Sequence, residues 1–282
     1  MKSVVEDIKK GSFKPVYLFY GEEAYLKQQY KNRLKNAVLP EGDTINLSIY
    51  SGKGIDVKEM IAQADTMPFF AEHRLLLIED SGFFKNANQQ LAEYIPSIPE
   101  ETIMLFVESE VDKRGKLYKA VSKKGSVVEF TAQNEQTLTR WILGILKTEG
   151  KMITSGAMKQ FLEKTGTDME RIRQELEKLI CYCMEKESIT EEDVAVICSE
   201  QTENKIFDMI NAMAEKKQKK AMELYYDLLA LKEPPMRILY LITRQFNLLM
   251  QVKELSEEGY SAKTISERLK MAGFIVRNCL RQ

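Results

Sequence analysis

Two apolar runs constrain this chain more than anything else in it. Leu75-Leu76-Leu77-Ile78 and Ile103-Met104-Leu105-Phe106-Val107 are continuous, without the alternation a half-exposed strand shows. A strand with apolar side chains on both faces needs cover on both faces, and the helix-covered parallel sheet of an α/β protein supplies it. The neighbouring segments agree: Val16 to Tyr20, Thr44 to Tyr50 and Ser126 to Phe130 are also strand-like, with helix-like stretches between them. The first half is therefore predicted as alternating strands and helices, with the strands Arg74 to Ile78 and Thr102 to Val107 central in the sheet.

Between the second and third strands, Asp56 followed by Glu59 reads as a capping box, and Val57, Met60, Ile61 and Ala64 then recur at helical spacing until Pro68 ends the helix. From about Glu135 onward strand signals vanish. Leu138, Trp141, Ile142 and Ile145 form one apolar stripe, and Thr167 with Glu170 is expected to cap a helix carrying Ile172, Leu176, Leu179 and Cys183. Ile206, Met209, Ile210 and Met213 lead into a lysine-rich turn at Lys216 to Lys220. Pro234-Pro235 then separates two longer helices, a joint short enough for an antiparallel hairpin. The expected fold class is α/β followed by all-α.

With 282 residues, 44% apolar and 29% charged, the chain can build a sizeable core in two or three domains, which excludes a disordered or disulfide-stapled chain. Four cysteines are too few and too oddly placed for a disulfide framework. No apolar run approaches the roughly 18 residues of a membrane span, and no leader precedes the first strand, so a cytoplasmic protein without membrane contact is expected. The net charge of -1 exerts no overall pull on nucleic acid. Residues 211 to 282 nevertheless hold 13 Lys and Arg against 8 Asp and Glu, which permits an anionic partner there; solvated helix faces give the same count.

The first strand of a nucleotide-binding α/β domain normally runs into a glycine-rich loop with a lysine that cradles phosphates. Here Val16 to Tyr20 runs into Gly21-Glu22-Glu23-Ala24-Tyr25-Leu26-Lys27. One glycine stands at the turn, no GKT or GKS follows, and Glu22 and Glu23 put like charge where phosphates would lie, so no nucleotide is expected to bind. Glu79-Asp80 sits where a magnesium-linked acidic pair would follow a strand, but without a phosphate cradle it reads as a strand end. His73, the only histidine, is read as packing or surface. Cys181 and Cys183 point to different faces of a helix, with Cys198 and Cys279 distant, so buried free thiols are expected and no metal site. No catalytic residue is singled out among the 42 acidic side chains.

Met67-Pro68-Phe69-Phe70-Ala71 stands apart. Two adjacent aromatics directly after a helix-stopping proline cannot both face one core from a regular element, so at least one is expected to project from a loop, as partner sites do. Near the C-terminus, Ser261 to Leu269, a turn at Ala272-Gly273 and Phe274 to Gln282 can be written as a helix-turn-helix, although two short amphipathic helices at a glycine turn occur in any helical bundle.

Taken in order, these segments resemble the delta subunits of bacterial DNA polymerase III clamp loaders, AAA+-related proteins without ATPase activity. The carriers are Tyr17-Leu18-Phe19-Tyr20-Gly21-Glu22-Glu23, the run from Met67 to Asp80, and the run from Gly166 to Leu179; Glu203-Asn204-Lys205-Ile206-Phe207-Asp208 and Pro235-Met236-Arg237-Ile238-Leu239 continue it. The resemblance covers essentially the whole chain. It implies an AAA+-like parallel sheet domain over 1–140, a small helical lid domain over 141–210, and a helical collar domain over 211–282. Family members continue through further collar helices, so this collar is expected to be incomplete, with apolar faces that reduce solubility or promote self-association.

By position, the family's clamp-binding wedge falls on Phe69 and Phe70 with Met67 and Pro68 beside them. The resemblance further implies a non-catalytic subunit of a DNA-directed DNA polymerase holoenzyme (a nucleotidyltransferase complex) that needs no cofactor. Its implied partners are the sliding clamp (the beta subunit), the other loader subunits through the collar, and primed DNA within the assembled loader only. Its implied role is to open the ring or hold it open for loading during replication. The alternative is a helix-turn-helix DNA-binding regulator on an α/β scaffold.

Overall fold

The computed structural model describes residues 1–86, 88–198, 206, 208–210, 212–213, 216–271 and 273–280, with 274 and 278 described by their backbone alone. The chain forms two compact units, Met1–Ala132 and Gln133–Gln282.

In the first unit, strands β1 (Val16–Tyr20), β2 (Leu47–Ser51), β3 (Arg74–Glu79), β4 (Thr102–Glu108) and β5 (Ser126–Glu129) form one sheet in the order β2-β3-β4-β1-β5, every pair parallel. This is the helix-covered parallel sheet expected from the sequence, and its two non-alternating strands are interior as predicted. The period-2 geometry of a strand sorts their side chains onto two cores. Leu18, Tyr20, Leu76, Ile78, Met104 and Phe106 pack on one face with Met60 and Ala64 of α3 (Val57–Ala64), Leu91 of α4 (Gln89–Tyr94), and Leu117 and Val121 of α5 (Lys116–Lys124). Tyr17, Phe19, Leu75, Leu77, Ile103 and Leu105 pack on the other, with Val4 of α1 (Lys2–Lys10) and Leu34 and Val38 of α2 (Ala24–Val38). Each fully buried Leu, Ile or Phe contributes roughly 1.5 to 3 kcal/mol, so a continuous apolar strand stabilises both layers at once.

Two boundaries differ from expectation for local reasons. β2 begins at Leu47 rather than Thr44, because the Asp43 carboxylate accepts the amides of Ile45 and Asn46, both at 3.0 Å, and takes them from the ladder. Helix α3 is capped by Asp56 as predicted, its carboxylate accepting from the amides of Lys58 and Glu59, but it ends at Ala64, ahead of Pro68. The Thr66 hydroxyl there turns back onto the Ala62 carbonyl at 3.1 Å.

Among its described residues the second unit is helical, with one exception that carries no signal in the sequence. α6 (Glu135–Thr148), α7 (Ser155–Thr165), α8 (Met169–Tyr182) and α9 (Glu191–Ile197) are tied by a parallel ribbon of β6 (Met152–Ile153) and β7 (Ser188–Ile189). Two residues per strand are too few to show a period. The cap of α8 is Asp168, not Thr167; its carboxylate accepts from the amides of Glu170 and Arg171. Ile172, Leu176, Leu179 and Cys183 are all buried, as their spacing predicts.

Further along lie α10 (Gln218–Ala230), α11 (Pro235–Glu257), α12 (Ala262–Leu269) and α13 (Gly273–Cys279). Pro235 occupies the first turn of α11, where its missing amide has no partner to lose. Ile206, Met209 and Ile210 pack with Leu228, Ile238 and Leu241, and Val252 with Ile265, Val276 and Cys279. Of the motif from Glu203 to Asp208, only Ile206 and Asp208 are among the described residues. Ala272, Arg281 and Gln282 also lie outside them.

Cys183, Cys198 and Cys279 are buried free thiols, and burial pushes Cys198 up to about 12 and Cys279 to about 11; Cys181, expected to be buried, is exposed. The His73 ring meets Phe13 edge-on, with centroids 5.7 Å apart. Among the described residues no helix is long and apolar enough to cross a membrane, and no cluster of three or more His, Cys, Asp or Glu is arranged to hold a metal ion.

Candidate functional site

In an open parallel sheet, ligands bind outside the carboxyl ends of the strands where the strand order reverses. Here that position lies at the ends of β1, β3 and β4, and Gly21–Glu23, Glu79–Asp80 and Glu108 meet there. Most of their polar groups are committed to neighbours within the protein. Gly21 takes a φ of 119°, and a Cβ at that position would sit 2.2 Å from the carbonyl oxygen of Phe130. That same oxygen accepts the Glu23 amide at 3.1 Å, while the Glu23 carboxylate caps α2 by accepting the Tyr25 amide at 3.2 Å. These amides, which a phosphate would otherwise use, are held by the protein's own oxygens.

The floor of the crevice is filled by two lysines of α2. The Lys27 ammonium donates to the Glu108 carbonyl at 3.2 Å, and Lys31 pairs with the Glu79 carboxylate at 2.7 Å. Burial lowers the Lys27 ammonium, against the opposing pull of Asp80, Glu108 and Glu23. The Glu108 carboxylate accepts from the amides of Ser81 and Gly82 and from the Ser81 hydroxyl; burial nevertheless pushes it above the usual carboxylate range. Asp80, at φ 49°, accepts the Ser109 hydroxyl at 3.0 Å. The acidic pair expected to end a strand thus turns to a lysine on one side and a serine on the other.

The second feature is the segment between α3 and β3. Met67 is 80% exposed, Phe69 56% and Phe70 95%, while Pro68 is half-buried. Both aromatics therefore project, which exceeds the expectation that at least one would. Their rings meet edge-on, centroids 4.6 Å apart and planes at 81°, a favourable aromatic geometry that presents a joint apolar surface. Phe70 adopts a φ of 49°, in the left-handed region that a bulky L-residue enters at a cost.

Polar anchors hold this segment from beneath, and sequence reasoning does not single them out. Asn46 is 2% exposed; its carboxamide oxygen accepts the Phe69 amide at 2.7 Å and its nitrogen donates to the Phe69 carbonyl at 3.0 Å. The nitrogen also donates to Asp43 at 2.7 Å, and bonds from Asn46 hold the Asp43 carboxyl below its ordinary range. Buried Arg74, at the start of β3, donates to the Met67 carbonyl at 3.3 Å. The only signal for these anchors in the sequence is composition: a polar Asn and a charged Arg beside two buried strands.

Around these two features the chain matches known proteins. The family model described as DNA polymerase III, delta subunit, matches residues 17–131, and the model for the delta subunit's C-terminal domain matches residues 203–282. DNA polymerase III subunit delta of Bacillus subtilis (strain 168) is 31% identical over 291 aligned positions, covering 99% of this chain and 84% of that protein. A probable DNA polymerase III subunit delta of Aquifex aeolicus (strain VF5) is 21% identical, over 86% of this chain and 72% of that one. Among solved structures, the Bacillus subtilis DNA clamp loader delta protein superposes with a TM-score of 0.67 at 30% identity, covering 99% of this chain and 86% of the other. The chain belongs to the family of DNA polymerase III delta subunits.

Proposed function

We propose that this chain acts in a clamp loader by binding the ring-shaped sliding clamp through Met67, Pro68, Phe69 and Phe70, and by helping to open the ring or hold it open for loading onto primed DNA. The observation that carries this reading is the pair of phenyl rings held out of the fold, Phe70 at 95% exposure, in a family of replication proteins. Burying two such rings in an apolar pocket contributes roughly 3 to 6 kcal/mol before ordering costs, enough for a regulated contact. Opening needs no bond-making here. A clamp protomer held in a relaxed curvature disfavours the closed ring interface, and differential affinity for the open form shifts the population.

In this reading the loop Gly21-Glu22-Glu23 binds no nucleotide, the chain performs no catalysis by itself, and ATP acts at partner subunits. What supports it is the commitment of the Glu23 amide to the Phe130 carbonyl and of the Tyr25 amide to the Glu23 carboxylate. Residues 1–140, 141–210 and 211–282 then serve as clamp-binding domain, lid and collar, the collar joining the other loader subunits in the cytoplasm, with primed DNA met only in the assembled loader.

Calorimetric titration with the sliding clamp from the same source tests the reading, run beside the Phe69→Ala/Phe70→Ala double variant with its fold checked by circular dichroism. Binding that is lost in the folded variant supports it; equal binding by both proteins refutes it. Sequence-dependent duplex binding by the chain alone, with a steep salt slope, would instead favour the helix-turn-helix reading of α12 and α13.

A further inference from the structure

An exposed aromatic pair on a free loop would collapse onto the nearest apolar surface, because water favours its burial. This pair does not, and the reason lies one layer below it. The Asn46 carboxamide engages both backbone groups of Phe69, its oxygen accepting the amide at 2.7 Å and its nitrogen donating to the carbonyl at 3.0 Å. It thereby stands in for a neighbouring peptide group of a sheet. Asp43 fixes the orientation of the carboxamide by accepting its second N–H at 2.7 Å, and the Asn46 backbone carbonyl accepts the Leu75 amide at 2.8 Å, which ties the clamp to β3. Arg74 holds the Met67 carbonyl two residues upstream of Phe69.

From these holds at Met67 and Phe69 the backbone passes to Phe70 in a left-handed conformation, with its ring turned outward. The geometry points to Asn46 as a positioning residue for partner binding: it touches no partner itself and keeps the Phe69–Phe70 wedge in its binding-competent conformation. This inference rests on the clamp-binding reading of the wedge. Its content is that the wedge is preorganised, so that affinity is not spent on ordering the loop at the moment of contact. Once the hold on Phe69 is lost, only a fraction of molecules present the wedge, and the apparent affinity falls by that fraction.

The test is a double-mutant cycle read by calorimetric titration with the sliding clamp, using the full chain, Asn46→Ala, Phe70→Ala and the two combined. Asn46→Ala is expected to weaken binding about tenfold in the single variant and by a smaller factor in the Phe70→Ala background, where Phe69 alone is left for it to position. Equal losses in both backgrounds would overturn the inference and leave Asn46 a structural residue, as would an unchanged affinity for Asn46→Ala.

Asn46→Asp supplies a size-conserving variant should Asn46→Ala unfold. Ionised, its carboxylate has no N–H for the Phe69 carbonyl; protonated, it regains one. Its affinity is therefore expected to recover toward that of the unmodified chain as the pH falls, with the unmodified chain measured in parallel, and a flat ratio between the two refutes the positioning role. Failure of the unmodified chain to bind, or full binding by Phe69→Ala/Phe70→Ala, would remove the clamp-binding reading itself, an outcome distinct from those that remove Asn46 alone.

Discussion

Gly21 and Phe70, both in the first unit, adopt positive φ, 119° and 49°, and they do so for opposite reasons. At Gly21 the chain passes so close to the Phe130 carbonyl that no side chain fits, and the amides of Glu23 and Tyr25 turn to oxygens of the protein itself. At Phe70 glycine would be the comfortable residue, and a phenylalanine stands there almost fully in water. The first loop turns its polar groups inward to the protein. The second accepts backbone strain and an exposed ring, neither of which helps folding. At Gly21 the loop closes over hydrogen bonds within the protein, whereas at Phe70 apolar surface stays open with its polar anchors underneath.

Four experiments would break or sharpen that contrast. Gly21→Ala should cost about 3 to 5 kcal/mol in urea unfolding, since it adds strain at positive φ to a backbone clash; an unchanged midpoint would show that the loop can move off Phe130. Phe70→Gly should do the reverse. It should lower affinity for the clamp about 100-fold in calorimetry, as a central aromatic anchor does, while unfolding free energy stays within about 1 kcal/mol or rises. A large stability loss instead would make the ring structural and erase the contrast.

Lys31→Met, which removes the partner of Glu79 beneath the Gly21–Glu23 loop, should lower stability by about 1 kcal/mol, less at high salt, because the carboxylate keeps some contact with water. The smallest effect concerns pH. Burial raises the folded-state Glu108 carboxyl above its ordinary 4.5, so the folded protein holds that proton more tightly than the unfolded chain. Stability should then decline as the pH rises through the window above 4.5, at no more than about 1.4 kcal/mol per pH unit. Urea titrations across that window should show the decline in the unmodified protein and not in Glu108→Gln; parallel curves would place the slope on another group.

Much of the fold is legible in the residues alone. The strand Val16–Tyr20 falls where its residues predict, and Leu75 to Ile78 and Ile103 to Val107 occupy the doubly covered interior that unbroken apolar runs require. Phe69 and Phe70 are marked by a contradiction, two adjacent large apolar residues that no regular element can bury together. What supports them is not legible. Asn46 lies 23 positions from Phe69 in a stretch that reads as strand; its role exists only where the start of β2 meets the loop before β3. The β6–β7 ribbon escapes because two-residue strands carry no periodicity.

By itself, then, the sequence determined the layer architecture, the helical second half, the absence of a GKT or GKS after the first strand and the presence of an unburied aromatic pair. Each of these is written in residue type and near-neighbour spacing, which set local conformation and which faces seek burial. Only the tertiary structure decided that the Glu23 carboxylate and the Phe130 carbonyl take up the amides of Tyr25 and Glu23, that Lys27 and Lys31 turn to Glu108 and Glu79, and that Asn46 and Arg74 hold the segment from Met67 to Phe69. Most of those contacts join residues far apart in the chain, and a hydrogen bond depends on distances and angles that no spacing along a sequence encodes.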